Sequence, residues 1–169
     1  MVGQTSTLGA CALRPEAKGW AERILACIDD DDAAAVILDW LRPLPVSSTR
    51  EVILLGLLPK PEVVRTRGIL LDTVRRHLRE TGRRRVAAIA PSIERAGMKH
   101  RERVALFGSA ADIVACAREE HADVIIMVGK PLDQMNRRIA TILPTRSLAA
   151  RVADISSIPV VILKKTATQ

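Results

Sequence analysis

Val124-Ile125-Ile126-Met127-Val128, a connection running to Thr145-Arg146-Ser147, the segment Leu148-Ala149-Ala150-Arg151-Val152 and then Pro159-Val160-Val161-Ile162-Leu163 form the stretch whose reading decides the fold. Two short apolar runs flank a segment with helical spacing. Such runs suit strands covered on both faces of a parallel sheet, and parallel strands need a crossover, usually a helix. The order strand, loop, helix, strand is the layout of an α/β nucleotide pocket, with the loop and the helix start as the phosphate cradle. Most of the glycines that such a cradle calls for are missing here.

The same alternation extends upstream. Arg23-Ile24-Leu25-Ala26-Cys27-Ile28 is a nearly continuous apolar run that ends at Asp29-Asp30-Asp31-Asp32. Carboxylates favour a helix N-terminus, so a helix is expected over Ala33–Leu41, stopped by Pro43 and Pro45. Glu51–Leu58 reads as strand two, closed by Pro59 and Pro61. A long helical stretch then places apolar residues at Leu70, Leu71, Val74 and Leu78, and again at Val86, Ile89, Ile93 and Ala96. Gly82 and Pro91 inside it predict a bend or short break, and Gly97 predicts its end. Arg103–Phe107 is the expected third strand, short and charged at its start, as suits a sheet edge. Ser109 is placed to cap a helix that runs to about Glu120. Strand four is Val124–Val128, the last helix spans about 146–155, and strand five is Val160–Leu163. Strands alternating with helices predict one α/β domain, a doubly wound parallel sheet with helices on both faces. Residues 1–20 have no period and are expected to form a flexible tail before a domain at 21–169.

Composition narrows the function classes. A chain of 169 residues buries roughly 70% of its unfolded surface and needs no disulfide or metal staple. Aromatics are 2% of the chain, limited to Trp20, Trp40 and Phe107, which weighs against a nucleic-acid site built on base stacking. The net charge is +7, and half of the 26 Lys and Arg lie between Lys60 and Arg103. A basic surface of that kind attracts phosphates or acidic partners, but a solvated, arginine-rich helix face is the simpler reading. Cys11, Cys27 and Cys116 are odd in number and far apart, as expected of free thiols in a reducing, cytoplasmic protein. No apolar run approaches membrane-spanning length, so no membrane association is expected.

Three segments resemble the universal stress protein family. Ile24–Asp29 resembles its first strand, which ends in an Asp. Gly108-Ser109-Ala110-Ala111-Asp112-Ile113 with Ala122-Asp123-Val124-Ile125-Ile126-Met127 is similar to its G-x-x-A-x-x-I … A-D-L-I-V-M-G pattern. Ser147-Leu148-Ala149-Ala150-Arg151-Val152 with Pro159-Val160-Val161 is similar to S-V-A-x-R-V … P-V-L. The resemblance covers roughly Ile24 to Lys165. It implies a five-stranded sheet in the order 3-2-1-4-5 and a homodimer joined along strand five, here Val160, Val161, Ile162 and Leu163. Many members bind ATP through Gly-x2-Gly-x9-Gly-(Ser/Thr) after strand four, and others lack that pattern.

The departures fall on that motif. Aligned on Asp123, the first two glycines fall on Val128 and Pro131, and a one-residue shift recovers Gly129 but leaves Leu132 at the second. The third falls on Arg146, before Ser147. A cradle needs close backbone N–H groups and often positive φ, both of which side chains obstruct, and Pro131 removes one donor outright. ATP is therefore not expected as a cofactor. The candidate residues of a vestigial nucleotide or anion pocket are Asp29, Gly129, Lys130, Arg146 and Ser147. Asp29 is read as a base or ribose contact or as a helix cap, Ser147 as an anion contact or an ordinary cap, and Lys130 and Arg146 as replacement charge or a solvated loop.

No catalytic or metal constellation stands out: His77, His100 and His121 have no pairing context, and there is no Gly-x-Ser-x-Gly. A phosphoacceptor receiver domain would need an Asp ending a central strand, and Val124–Val128 is followed by Gly129-Lys130-Pro131. Three functions follow as expectations. The first is a non-catalytic stress-response protein without ATP. The second is a family member with a remodelled nucleotide or anion pocket. The third is a basic adaptor that meets nucleic acid or an acidic protein through Arg75–Arg85; the few aromatics count against nucleic acid as a base-read partner, though not against phosphate contact.

Overall fold

The computed structural model describes residues 21–45, 47–57, 69–105, 108–129 and 147–164. In chain order these form β1 (Arg23–Ile28), α1 (Asp31–Leu41), β2 (Glu51–Leu57), α2 (Ile69–Arg95), β3 (Lys99–Ala105), α3 (Ala110–Glu119), β4 (Val124–Gly129), α4 (Leu148–Ile155) and β5 (Val160–Lys164). The strands make one parallel sheet in the order β3-β2-β1-β4-β5. This is the doubly wound order that the family resemblance implies. The expected tail at 1–20 lies outside the described residues.

The period-two alternation of the strands divides the core into two layers. Ile24, Ala26, Ile28, Val52, Leu54, Val124 and Ile126 face α1 and α2, where Ile37, Leu41, Val86, Ile89 and Ile93 meet them. Leu25, Cys27, Ile53, Leu55, Ile125 and Met127 face α3 and α4, meeting Ile113, Val114, Ala117, Ala149 and Val152. Because both faces of the central strands are covered, their sequences are apolar throughout instead of alternating. Burying a side chain of this size contributes about 1.5–3 kcal/mol, so the branched aliphatics carry a core that has almost no aromatics.

Capping explains where the helices begin and end. Ser109 and Asp112 form a reciprocal capping box at the start of α3. Gly97 adopts φ 73° after α2, and the amides of Gly97 and Met98 bond to the carbonyls of Glu94 and Ile93. That is a Schellman motif, with Met98 buried beneath it. His121 takes the same role after α3 at φ 51°, its amide bonding to Arg118 and that of Ala122 to Ala117. His121 thus ends α3 through its backbone.

Two element expectations need correction. Strand three was expected at Arg103–Phe107, whereas β3 runs from Lys99 to Ala105; Leu106 and Phe107 lie outside the described residues. Its charged residues hid it, because an edge strand can keep its charges in solvent or pair them. Glu120, 5% exposed, accepts from Arg101 at 3.1 Å and Arg103 at 2.6 Å, and Glu51 on β2 lies 3.2 Å from Arg101 and 3.4 Å from Arg23. A bend or short break in the long helix was also expected; α2 is continuous over 27 residues, without a break. Gly82 is buried, with its carbonyl 3.4 Å from where a Cβ on Gly56 of β2 would stand, and Pro91 sits on the exposed side near the helix end.

The Asp of the A-D pattern also acquires a purpose. Asp123 accepts from the amides of Glu22 and Arg23 at 2.9 and 2.8 Å, and its own amide bonds the Arg23 carbonyl. It ties the start of β1 to the turn before β4.

Candidate functional site

In an open α/β sheet, ligands bind beyond the strand C-termini, where the strand order reverses. Here the reversal lies between β1 and β4, since β2 and β3 extend to one side and β5 to the other. Ile24 pairs with Val124 and Ala26 with Ile126; continuing that offset brings Asp29 level with Gly129. Both stand at the candidate edge, and α4 begins from the same connection with Ser147 as its cap. Asp29, Gly129 and Ser147 are therefore brought to one edge of the sheet. Lys130 and Arg146 lie outside the described residues.

Each placed residue has a local structural role. Asp29 is half-buried, and its carbonyl accepts from Arg85 Nη1 at 2.7 Å. The helix cap is its neighbour: Asp30 Oδ1 accepts from the Ala33 amide at 2.7 Å. Asp31 lies 3.1 Å from Arg85 Nε. Arg85 thus gathers the acidic run from a helix more than 50 residues away in the chain, and the sequence offered no signal for that pairing. Ser147 Oγ accepts from the Ala150 amide at 3.2 Å, an ordinary N-cap bond.

Gly129 is still within β4, paired with Lys164. A Cβ added there would stand 3.0 Å from Ile162 Cγ2 and 3.6 Å from the Leu163 carbonyl. The close approach of β5 therefore gives this glycine a packing reason. Val128 precedes it, and its side chain packs against the α1–α2 layer. Among the described residues no group of three or more His, Cys, Asp or Glu side chains converges as a metal site. No helix among them is long and apolar enough to cross a membrane.

Residues 21–164 match the universal stress protein family. The chain belongs to that family. Solved structures agree in fold. The chain is similar to the hypothetical protein MJ0577, at 21% identity over 87% of this chain and 98% of that one, with a TM-score of 0.68. A universal stress protein family member from Burkholderia pseudomallei shares 19% identity over 87% and 98% of the two chains, with a TM-score of 0.61. A universal stress protein solved in complex with cAMP shares 18% identity over 86% and 99%, with a TM-score of 0.54. No curated protein matches the sequence.

Proposed function

We propose that this universal stress protein is a non-catalytic, cytoplasmic stress-response protein whose strand-edge site does not take ATP through a glycine cradle. The observation that carries this reading is Gly129. It is the one glycine retained at the expected cradle, yet it lies in the sheet with Ile162 packed where its side chain would be. In the register that keeps Gly129, the other cradle positions fall on Leu132 and Arg146, with Pro131 removing one donor between them, and side chains there obstruct the close, positive-φ amides that a triphosphate needs. The carboxylates of Asp29–Asp32 oppose a triphosphate further. Isothermal titration of the full chain with Mg-ATP is expected to show no binding in the micromolar range; a micromolar Kd would overturn the proposal.

A second reading keeps the site and changes the ligand. Asp29, Gly129 and Ser147 share one edge, and a protein of the same fold is solved with cAMP. A ligand with a single phosphate makes smaller demands on backbone donors than a triphosphate. Charge from Lys130 and Arg146 would supplement the N-terminus of α4 in holding it. A thermal-shift panel of AMP, cAMP and ATP separates the two readings. A rise in Tm with AMP or cAMP but not ATP supports the remodelled pocket, and no rise with any of them removes it.

A further inference from the structure

The first half of α2 is largely exposed among the described residues. No side chain described between Asp72 and Thr81 is buried, and burial begins at Gly82 and Val86. Arg85, just beyond, reaches the Asp29 carbonyl at the strand C-terminal edge. The helix runs from that edge toward β3, and Arg79 and Arg83 stand beside Glu102 and Val104 of that strand. That segment concentrates charge. Across α2 there are seven arginines against three carboxylates, a net of +4, and every cationic side chain in it is Arg.

Pairing leaves a stripe of positive charge. Asp72 lies 3.9 Å from Arg75, and Glu80 lies 3.2 Å from Arg84. Arg76, Arg79 and Arg83 have no carboxylate within 4.0 Å among the described residues. Arg76, Arg79 and Arg83 follow at intervals of three and four residues, which sets them about 5–6 Å apart along one helical face. Beside this face an open groove of about 680 Å³ runs between α2 and the edge strand, lined by Arg79, Arg83 and Ala87 on one wall and Glu102 and Val104 on the other.

We infer that this stripe is a docking surface for duplex DNA, contacted through its phosphate backbone without reading sequence. Three physical points select that occupant. Guanidinium forks match phosphate oxygens bidentately. A protein partner would need buried apolar or aromatic anchors, whereas among the described residues the groove offers only Ala87 and Val104 as apolar side chains; a phosphodiester backbone needs none. Single strands are held by base stacking on aromatic rings, and there is no Phe, Trp or Tyr from Ile69 to Ala105. The scarcity of aromatics that counts against base recognition is therefore compatible with a backbone contact.

The test uses the full chain and a fluorescent DNA duplex of random sequence, read by anisotropy. Three to four phosphate contacts imply that affinity falls on the order of 50- to 150-fold between ~50 and ~200 mM salt. The triple variant Arg76→Glu/Arg79→Glu/Arg83→Glu is expected to lose at least tenfold in affinity with unchanged circular dichroism, since all three side chains are exposed. The corresponding triple Lys variant retains most of the binding. A charge-matched control, Arg42→Glu/Arg118→Glu/Arg151→Glu, changes exposed arginines elsewhere and is expected to lose much less. Three results each overturn the inference: no binding at low salt, equal loss in the control, or displacement of the duplex by polyglutamate at equal charge concentration. The last would indicate an acidic protein surface as the occupant.

Discussion

Cys27 occupies the middle layer of β1 with 2% of its surface exposed. Burial pushes its thiol pKa well above the ordinary range, and Cys116 and Asp29 add to the rise. The sign of the linkage follows directly. The folded thiol holds its proton where the unfolded thiol, with a pKa of about 8.5, gives it up. The stabilisation is therefore whole below that pH and is lost as the pH rises above it, at up to ~1.4 kcal/mol per pH unit. Urea denaturation from pH 7 to 10.5 is expected to show a steeper alkaline loss in the wild type than in Cys27→Ala; parallel slopes would contradict the burial account. At this scale the sequence was legible for residues whose partners are local. Ser109, Gly97 and Ser147 have capping roles set within one helical turn. Asp29–Asp32 was not, because four adjacent carboxylates look alike until Arg85 arrives from another helix.

The helix–sheet contact between α2 and β2 depends on the absence of a side chain. A Cβ on Gly56 would meet Val86 Cγ2 at 3.0 Å and the Gly82 carbonyl at 3.4 Å. Gly56→Ala is expected to destabilise by about 1–3 kcal/mol through overpacking. Trimming the facing residue relieves the clash, so Gly56→Ala/Val86→Ala is expected to lose less than the sum of the single changes in equilibrium urea unfolding. Additive losses would mean that the backbones do not meet as closely as drawn. This contact also explains why Gly82 does not break α2. β1, β2 and β4 were readable because their continuous apolar runs report burial on both faces, and β5 because its run is apolar even at the sheet edge. The start of β3 was not, because Lys99-His100-Arg101-Glu102 carries no apolar signal and belongs to the sheet only through its register with Glu51–Leu54.

The two edges of the sheet differ in chemistry. β3 carries Lys99, Arg101, Glu102 and Arg103, charges that discourage another strand from pairing. β5 presents Val160, Val161, Ile162 and Leu163, with Ile162 42% exposed and nearby Ile155 51% exposed. An apolar edge of this kind calls for a partner, which supports the proposed homodimer along β5. Sedimentation at micromolar concentration is expected to give a dimer for the wild type and a monomer for Ile162→Lys; a monomeric wild type would end the proposal. By itself the sequence determined the α/β class, the β1, β2, β4 and β5 segments, the family and the departure from the glycine pattern. The class and the strands rest on local periodicity, and the family and its missing glycines on motifs that the chain resembles in order. Tertiary structure alone decided that Gly129 is packed by Ile162, that Arg85 holds the acidic run, that Glu120 gathers Arg101 and Arg103, and that Arg79 and Arg83 of α2 line an open groove beside β3. These depend on which segments lie side by side, and contacts between residues distant in sequence form only when the sheet and its helices bury their apolar faces together.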